Sequence, residues 1–480
     1  MNAKPTPNKL VISQADNYAG NFGEVLRSSA IFWVKKSKDF STTISFSNYW
    51  KYKNLTDVRV LLNLRTLKGE IVERRTINFE ESNVCNYVPP DNFEGSVEVE
   101  AFSIKNMRIP YAAVMAVYET SKSVSMVHSY ARAYSQHEIE DKRTISDGEE
   151  SCWTLRDNSN FTSFAIIHNG PNRQESQNIK LSVRNSSGNE LTTSFQAPEL
   201  LPFETLVIEP KNYFPDLNDF LGGEAGNGRV SFKINGGFTR MLCGVKSKNS
   251  DQIQVTHSNF DYSTHGTDTI TSDEVVAYMR TPNLIKKLRQ EIVVYPDTYN
   301  GIYKSEYDGE LKEFSTGQIH RLKFDDNCGK FVKFSRNDKV LPTRIVTALR
   351  LTPENCDIPA ECSLGVVHHK RPKKHFHWML VSQRLNSQIC WVDFQEVYGG
   401  CPNDAELVFK LYIPSESDEY TKHLKKSDLP ENSAIQLSSI FEQTHTSDDY
   451  SYLTVWCSYG GLMFFSTLEK SNSISIEHSF

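Results

Sequence analysis

Val124-Ser125-Met126-Val127-His128-Ser129 alternates apolar and unrestricted positions and then reaches a histidine. The pattern returns at Ile253-Gln254-Val255-Thr256-His257-Ser258, at Leu364-Gly365-Val366-Val367-His368-His369 and at Ile474-Ser475-Ile476-Glu477-His478-Ser479. A period of two places the apolar side chains and the histidine on one face of a β-strand, so each copy predicts a strand with one face buried. The histidines recur at intervals of 129, 111 and 110 residues. A pattern repeating at about that interval is most simply the last strand of a repeated domain.

Working outward, 480 residues exceed what one hydrophobic core serves, and four repeats of about 110 residues fill them. That size matches β-sandwich modules of about 100 residues. Runs rich in Val, Ile, Phe and Tyr recur at about 8 to 12 residue spacing, for example Ala30–Val34, Thr42–Phe46 and Val58–Leu64. Aromatic residues make up 11% of the chain, which suits pleated sheets rather than helices. The prediction is an all-β protein of four tandem, diverged β-sandwich-like repeats.

The expected boundaries are a flexible lead-in at 1–25, repeat 1 at 26–135, a charged linker at 136–150, repeat 2 at 151–263, a degenerate repeat 3 at 264–372 and repeat 4 at 373–480. Repeats 1 and 2 superimpose with small gaps. Trp153 falls on Trp33, Arg184 on Arg65, turn Gly188 on Gly69, and Gly228 on Gly95. In repeat 3, Asp308-Gly309 takes the place of the Gly188 turn, and Thr281–Arg289 suggests a short helix in place of the opening strand. Short helical turns are also expected within Pro210–Gly222, which is closed by glycine.

Composition narrows the function. A net charge of −6 offers no general attraction to a phosphate backbone, so nucleic acid is not an expected partner. No apolar run reaches membrane-spanning or signal-peptide length, which predicts a cytoplasmic protein without membrane insertion. Nine scattered cysteines read as buried thiols rather than as a disulfide framework. The nucleophile elbow, the phosphate loop, the dinucleotide fingerprint and the His-Glu-x-x-His motif are all missing, so no catalytic residue is assigned and no cofactor is expected.

Three sets of residues remain as candidates. His128, His257, His368 and His478 recur in every copy, which points to a need of the fold, an imidazole bonded to backbone at a strand end. Cys356, Cys362, His369, His375 and His377 have the side chains zinc favours, but their spacing is wide for a structural zinc site, and no metal is expected there. Tyr49, Trp50 and Tyr299, with the basic run Lys370, Arg371 and Lys373, mix rings and hydrogen-bonding groups in a way that suits sugars or a protein partner. The expected function is non-catalytic binding of a carbohydrate or surface polymer by serial modules. The alternatives are an enzyme with one site at the cleft between repeats 3 and 4, or a structural subunit of a particle or filament.

Overall fold

A computed structural model describes residues 26–52, 58–79, 82–103, 113–129, 145–146, 151–235, 241–249, 251–259, 276–286, 288–297, 299–324, 329–342, 344–354, 356, 358–367, 374–430, 434–442 and 449–479. Regular structure among these residues is almost all antiparallel β, and the helices are single turns such as Tyr49–Tyr52 and Gln395–Tyr398. None of the described helices is long and apolar enough to cross a membrane.

One pairing order recurs along the chain. Residues 276–363 form eight strands: Val276–Arg280, Arg289–Val294, Ile302–Tyr307, Glu310–Ser315, His320–Phe324, Phe331–Arg336, Thr347–Thr352 and Ala360–Ser363. The first, sixth, third and fourth make one four-stranded sheet, and the fifth, second, seventh and eighth make another. The eight main strands of 151–257 and the eight of 376–478 pair in the same two orders. In 26–128 the order is again the same, but Lys36 pairs with Ser41 and Ser37 with Phe40, which joins both halves into one eight-stranded sheet. A two-residue ladder, Ile234–Asn235 with Ile145–Ser146, is additional to this scheme.

The hairpin between third and fourth strands shows why the pattern is stable. Its turn carries Gly69 or Gly188 at φ +85°, or Asp308-Gly309 at φ +49° and +79°, conformations that L side chains rarely adopt. The fourth strands, Ile71–Ile77, Glu190–Gln196, Glu310–Ser315 and Glu419–Lys425, lie at sheet edges and are largely exposed. Their charged and polar side chains discourage pairing with other chains.

The chain divides into two compact units. The first comprises Met1–Ser121, Val127–Asn185 and Asn189–Ser258, and the second Lys122–Met126, Ser186–Gly188 and Asn259–Phe480. Within each unit, the middle strands of the sheet holding the second strand are largely buried on both faces, while its fifth strand stays partly exposed, as at Val207 and Lys323. Phe161–His168 is buried along its full length. Ala165 and Ile167 join Trp153, Leu181 and Val230 in one core, while Phe164 and Ile166 join Phe32, Val34 and Ile44 in another. The second unit repeats this arrangement. Ile389 and Trp391 pack with Phe409 and Leu453, whereas Cys390 and Val392 pack with Leu349, Leu351 and Val294. A fully buried Phe or Ile contributes about 1.5–3 kcal/mol, so a few outward-facing side chains of this kind tie neighbouring sandwiches together.

The structure corrects four expectations. The closing strands Val124–His128 and Ile253–His257 are buried on both faces, polar positions included, because a neighbouring layer covers the side that alternation marks as exposed. In the second unit the corresponding polar face is satisfied by hydrogen bonds such as Met126 N–H to Ser475 Oγ at 2.8 Å. The third copy of the histidine pattern lies beyond its strand, which is Ala360–Ser363. Val367 is drawn off to exchange backbone hydrogen bonds with Tyr278 at 2.7 and 2.9 Å. Residues 281–286 are not helical; Pro282 disfavours helix at Thr281, whose hydroxyl accepts from Lys330 N–H at 2.9 Å.

The two tryptophans are likewise not equivalent. Arg65 faces Ser96 and Arg184 faces Asn227, so the position equivalent to Gly95 is Gly226, not Gly228. A Cβ on Gly95 would sit 2.0 Å from Arg65 O, and one on Gly226 would sit 2.3 Å from Arg184 O. In this register Trp33 faces Ser96, and the residue facing Asn227 is Thr154. Trp33 and Trp153 are therefore one position apart and point to opposite faces.

The shared cores bear on whether a repeat can stand alone. A fragment of 26–259 is expected to be soluble and cooperative in urea. A fragment of 151–263, which would expose Phe164, Ile166, Ile253 and Val255, is expected to have a lower midpoint or to self-associate. Equal midpoints for the two fragments would show that the layers fold independently.

Candidate functional site

The recurring histidines close their strands in buried surroundings. His128 and His257 are 4% and 1% exposed, and their rings meet edge to face with centroids 4.5 Å apart. His257 Nδ1 donates to the carbonyl of Ser258 at 2.9 Å, and His478 Nδ1 makes the same bond to Ser479 at 3.4 Å. An imidazole bonded to the next carbonyl holds the residue that follows the closing strand. His368 lies outside the described residues. The ring contact also shows that His128 and His257 are not independent of each other.

The sulfur and nitrogen ligands around the third and fourth repeats are dispersed. Cys356 Sγ donates to Ile358 O at 3.1 Å, and Cys362 Sγ to Ser363 O at 3.3 Å. Burial raises the Cys362 thiol well above its ordinary range, with the Glu477 carboxylate adding to the effect. His375 Nδ1 donates to Cys457 O, and His377 Nδ1 pairs with Ser479 Oγ, both at 2.9 Å. His369 lies outside the described residues, as do Lys370, Arg371 and Lys373.

Of the aromatic candidates, Trp50 is 1% exposed and packs in the core of the first unit, while Tyr49 is half-buried with its ring against Tyr52 at 6.4 Å. Tyr299 stacks on the Arg336 guanidinium at 4.7 Å, and that side chain also bonds the carbonyls of Tyr299 and Asn300 at 3.2 and 2.8 Å. Arg336 thus clamps a loop, with Tyr299 as part of the clamp.

The second unit holds a cavity of about 390 Å³ that includes none of these residues. It forms on the outer face of the sheet containing Phe331–Arg336. In that strand Val332, Phe334 and Arg336 point inward, leaving Phe331 and Lys333 on the outer side. Cross-strand pairing sets Arg280 opposite Phe331, and Lys333 opposite both Tyr278 and Glu306. Tyr307, Asp308 and Lys330 complete that wall. The opposite wall is Glu396, on the short helix Gln395–Tyr398, which ends at Gly399 with φ +83°. Phe394 packs on Phe331 at 6.5 Å just before the helix, which brings Glu396 into an ion pair with Arg280.

Charges in this cavity are compensated locally. Arg280 pairs with Glu396 and lies over the Phe331 ring at 5.4 Å; Lys333 pairs with Glu306 at 3.7 Å; Lys330 lies over Tyr307 at 5.8 Å. Burial, then the hydrogen bond to Asp308, raises the Tyr307 hydroxyl, which keeps its proton and serves as a donor. The cavity therefore offers ring edges and many hydrogen-bonding groups with little net charge. Sequence reading missed it because Phe331-x-Lys333 looks like the solvent side of any strand, and Glu396 arrives from a different repeat.

The buried imidazoles make stability sensitive to mutation and to pH. His128→Ala and His257→Ala should each cost about 1–3 kcal/mol. The double variant should depart from the sum by at least about 0.5 kcal/mol, as contacting residues do, measured by urea denaturation; strict additivity would deny the contact. Burial lowers His168 and His377 from 6.5 to about 3. The unfolded chain then binds the proton first, so this stability is fully present above about pH 6.5 and is lost as pH falls toward 3. Between pH 6 and 5, each imidazole should remove up to about 1.4 kcal/mol of unfolding free energy, and His377→Gln should flatten the slope.

No protein-family model matches the chain, and no curated protein matches it at a significant level.

Proposed function

We propose that this is a non-catalytic binding protein whose second unit takes a carbohydrate or similar polyhydroxylated polymer in the cavity between Phe331 and Glu396. The observation that carries the reading is the combination of rings with compensated charge. Sugar C–H faces pack against Tyr307 and Phe331, while hydroxyls donate to Glu306, Asp308 and Glu396 and accept from Lys330, Lys333 and Arg280. A cavity of about 390 Å³ is the size of a small-ligand site. Net-charge compensation favours an uncharged polyol over a strongly anionic ligand, since an anion at Arg280 or Lys333 would have to displace Glu396 or Glu306.

The same groups argue against proton-transfer chemistry. Glu396 is held by Arg280, and the Tyr307 hydroxyl is shifted further from neutrality. Protein from a tag-free preparation is expected to retain neutral oligosaccharides on a glycan array. Phe331→Ala should weaken that binding about tenfold or more, the effect of losing one packed ring, and should also lower the thermal midpoint because Phe394 packs on Phe331. Lys333→Ala, which removes a partly exposed ion pair with Glu306, should weaken binding severalfold while the thermal midpoint changes little. Retention unaffected by Phe331→Ala and by Lys333→Ala would place any glycan site elsewhere. Release of shortened sugars would make the protein an enzyme.

A further inference from the structure

The first unit contains a second cavity, of about 260 Å³, with a different character. Its wall is aromatic. Trp33 stacks on Tyr118 at 5.6 Å, while Phe40 and Phe164 each meet Trp33 at an interplanar angle of 55°, with centroids 5.7 and 6.1 Å away. Trp33, Phe40 and Phe164 all line the space, so the three rings form a corner rather than a flat stack. The register difference described above makes this possible, because Trp33 points away from the interior position that Trp153 occupies.

Its rim is acidic. Four carboxylates, Asp39, Glu94, Glu209 and Asp251, line the cavity against two ammonium groups, Lys35 and Lys246. Both ammonium groups are already matched, Lys35 to Glu94 at 2.8 Å and Lys246 to Glu209 at 2.7 Å. Glu94 is further fixed by the Trp33 indole N–H at 3.2 Å. Asp39 and Asp251 remain as the surplus charge. Asp251 is oriented by the Ser121 hydroxyl at 3.0 Å, and its backbone carbonyl accepts from Thr120 Oγ1.

Ring faces are negative, and a cation over tryptophan gains the most from them. A corner of three rings beneath surplus carboxylates favours a cation that is bulky, apolar at its surface and unable to donate hydrogen bonds. We infer that this cavity binds a quaternary ammonium group of the trimethylammonium type. A simple ammonium ion would leave its N–H groups facing rings, and an anion would meet Asp39 and Asp251. The volume is below that of drug-sized sites, as a single head group requires. This cavity belongs to a different unit from the carbohydrate cavity, and its occupancy does not depend on it.

Calorimetric titration of the full chain with choline and with tetramethylammonium tests this, using neutral 3,3-dimethyl-1-butanol as the uncharged isostere. Both cations should bind saturably, and the alcohol at least about tenfold more weakly, the difference a desolvated cation–π contact of about 1.4 kcal/mol gives. Asp39→Asn with Asp251→Asn, on exposed turns where folding is undisturbed, should weaken choline binding severalfold without changing the response to the alcohol. Trp33→Phe should weaken it while keeping the ring corner filled. Co-sedimentation with phosphatidylcholine vesicles, competed by free choline, would assign the group to a lipid head; choline binding without co-sedimentation would assign it to a soluble ligand. Equal binding of choline and the alcohol, no saturable heat from either cation, or an unchanged affinity in the double aspartate variant would overturn the inference.

Discussion

Burial of a middle strand on both of its faces is the constraint on which the remaining structure depends. A strand in an isolated sandwich alternates between core and solvent, so half of its residues are free to be polar. Here Phe161–His168 has Ala165 and Ile167 in one core and Phe164 and Ile166 in another, and Gln388–Asp393 divides in the same way. Each such strand must satisfy two cores at once, which fixes its register twice over. The closing strands inherit the constraint. They carry Gln254 and Thr256 at 5% and 6% exposure, and Glu477 at 4%, at positions that alternation alone would leave in water.

That constraint explains where the two cavities lie. The aromatic corner in the first unit forms because Trp33 and Phe164 belong to successive repeats and share one core. The cavity in the second unit forms where Phe394 seats a single helical turn against Phe331, carrying Glu396 to Arg280. Both cavities lie where one repeat borders the next. Neither would exist on a single sandwich.

The sequence made the strand pattern legible where the information was local. Strand-end histidines at 128, 257 and 478, the turn glycines at 69 and 188, the Asp308-Gly309 turn and the helical turns ended by Gly222 could all be read from period and turn chemistry. Information shared between repeats could not. The superposition of Trp33 on Trp153 matched residue type but missed a one-position shift that only cross-strand pairing reveals. Tyr49, Trp50 and Tyr299 looked like exposed rings because nothing in their own stretch shows that Trp50 enters the core or that Arg336, 37 residues on, takes Tyr299. The cavity residues Arg280, Phe331 and Glu396 are spread over more than 100 positions, as the separation of 116 between Arg280 and Glu396 shows, and each is ordinary by itself.

The central claim is that successive repeats within a unit share a core and therefore stability. Hydrogen exchange on the Phe164→Ala protein tests it most directly. Phe164 belongs to the second repeat but packs in the core of the first, against Phe32, Val34 and Trp33. The account predicts faster exchange in both 26–128 and 151–257, because removing one ring unloads both layers. Faster exchange confined to 151–257, with 26–128 as protected as in the parent chain, would contradict it.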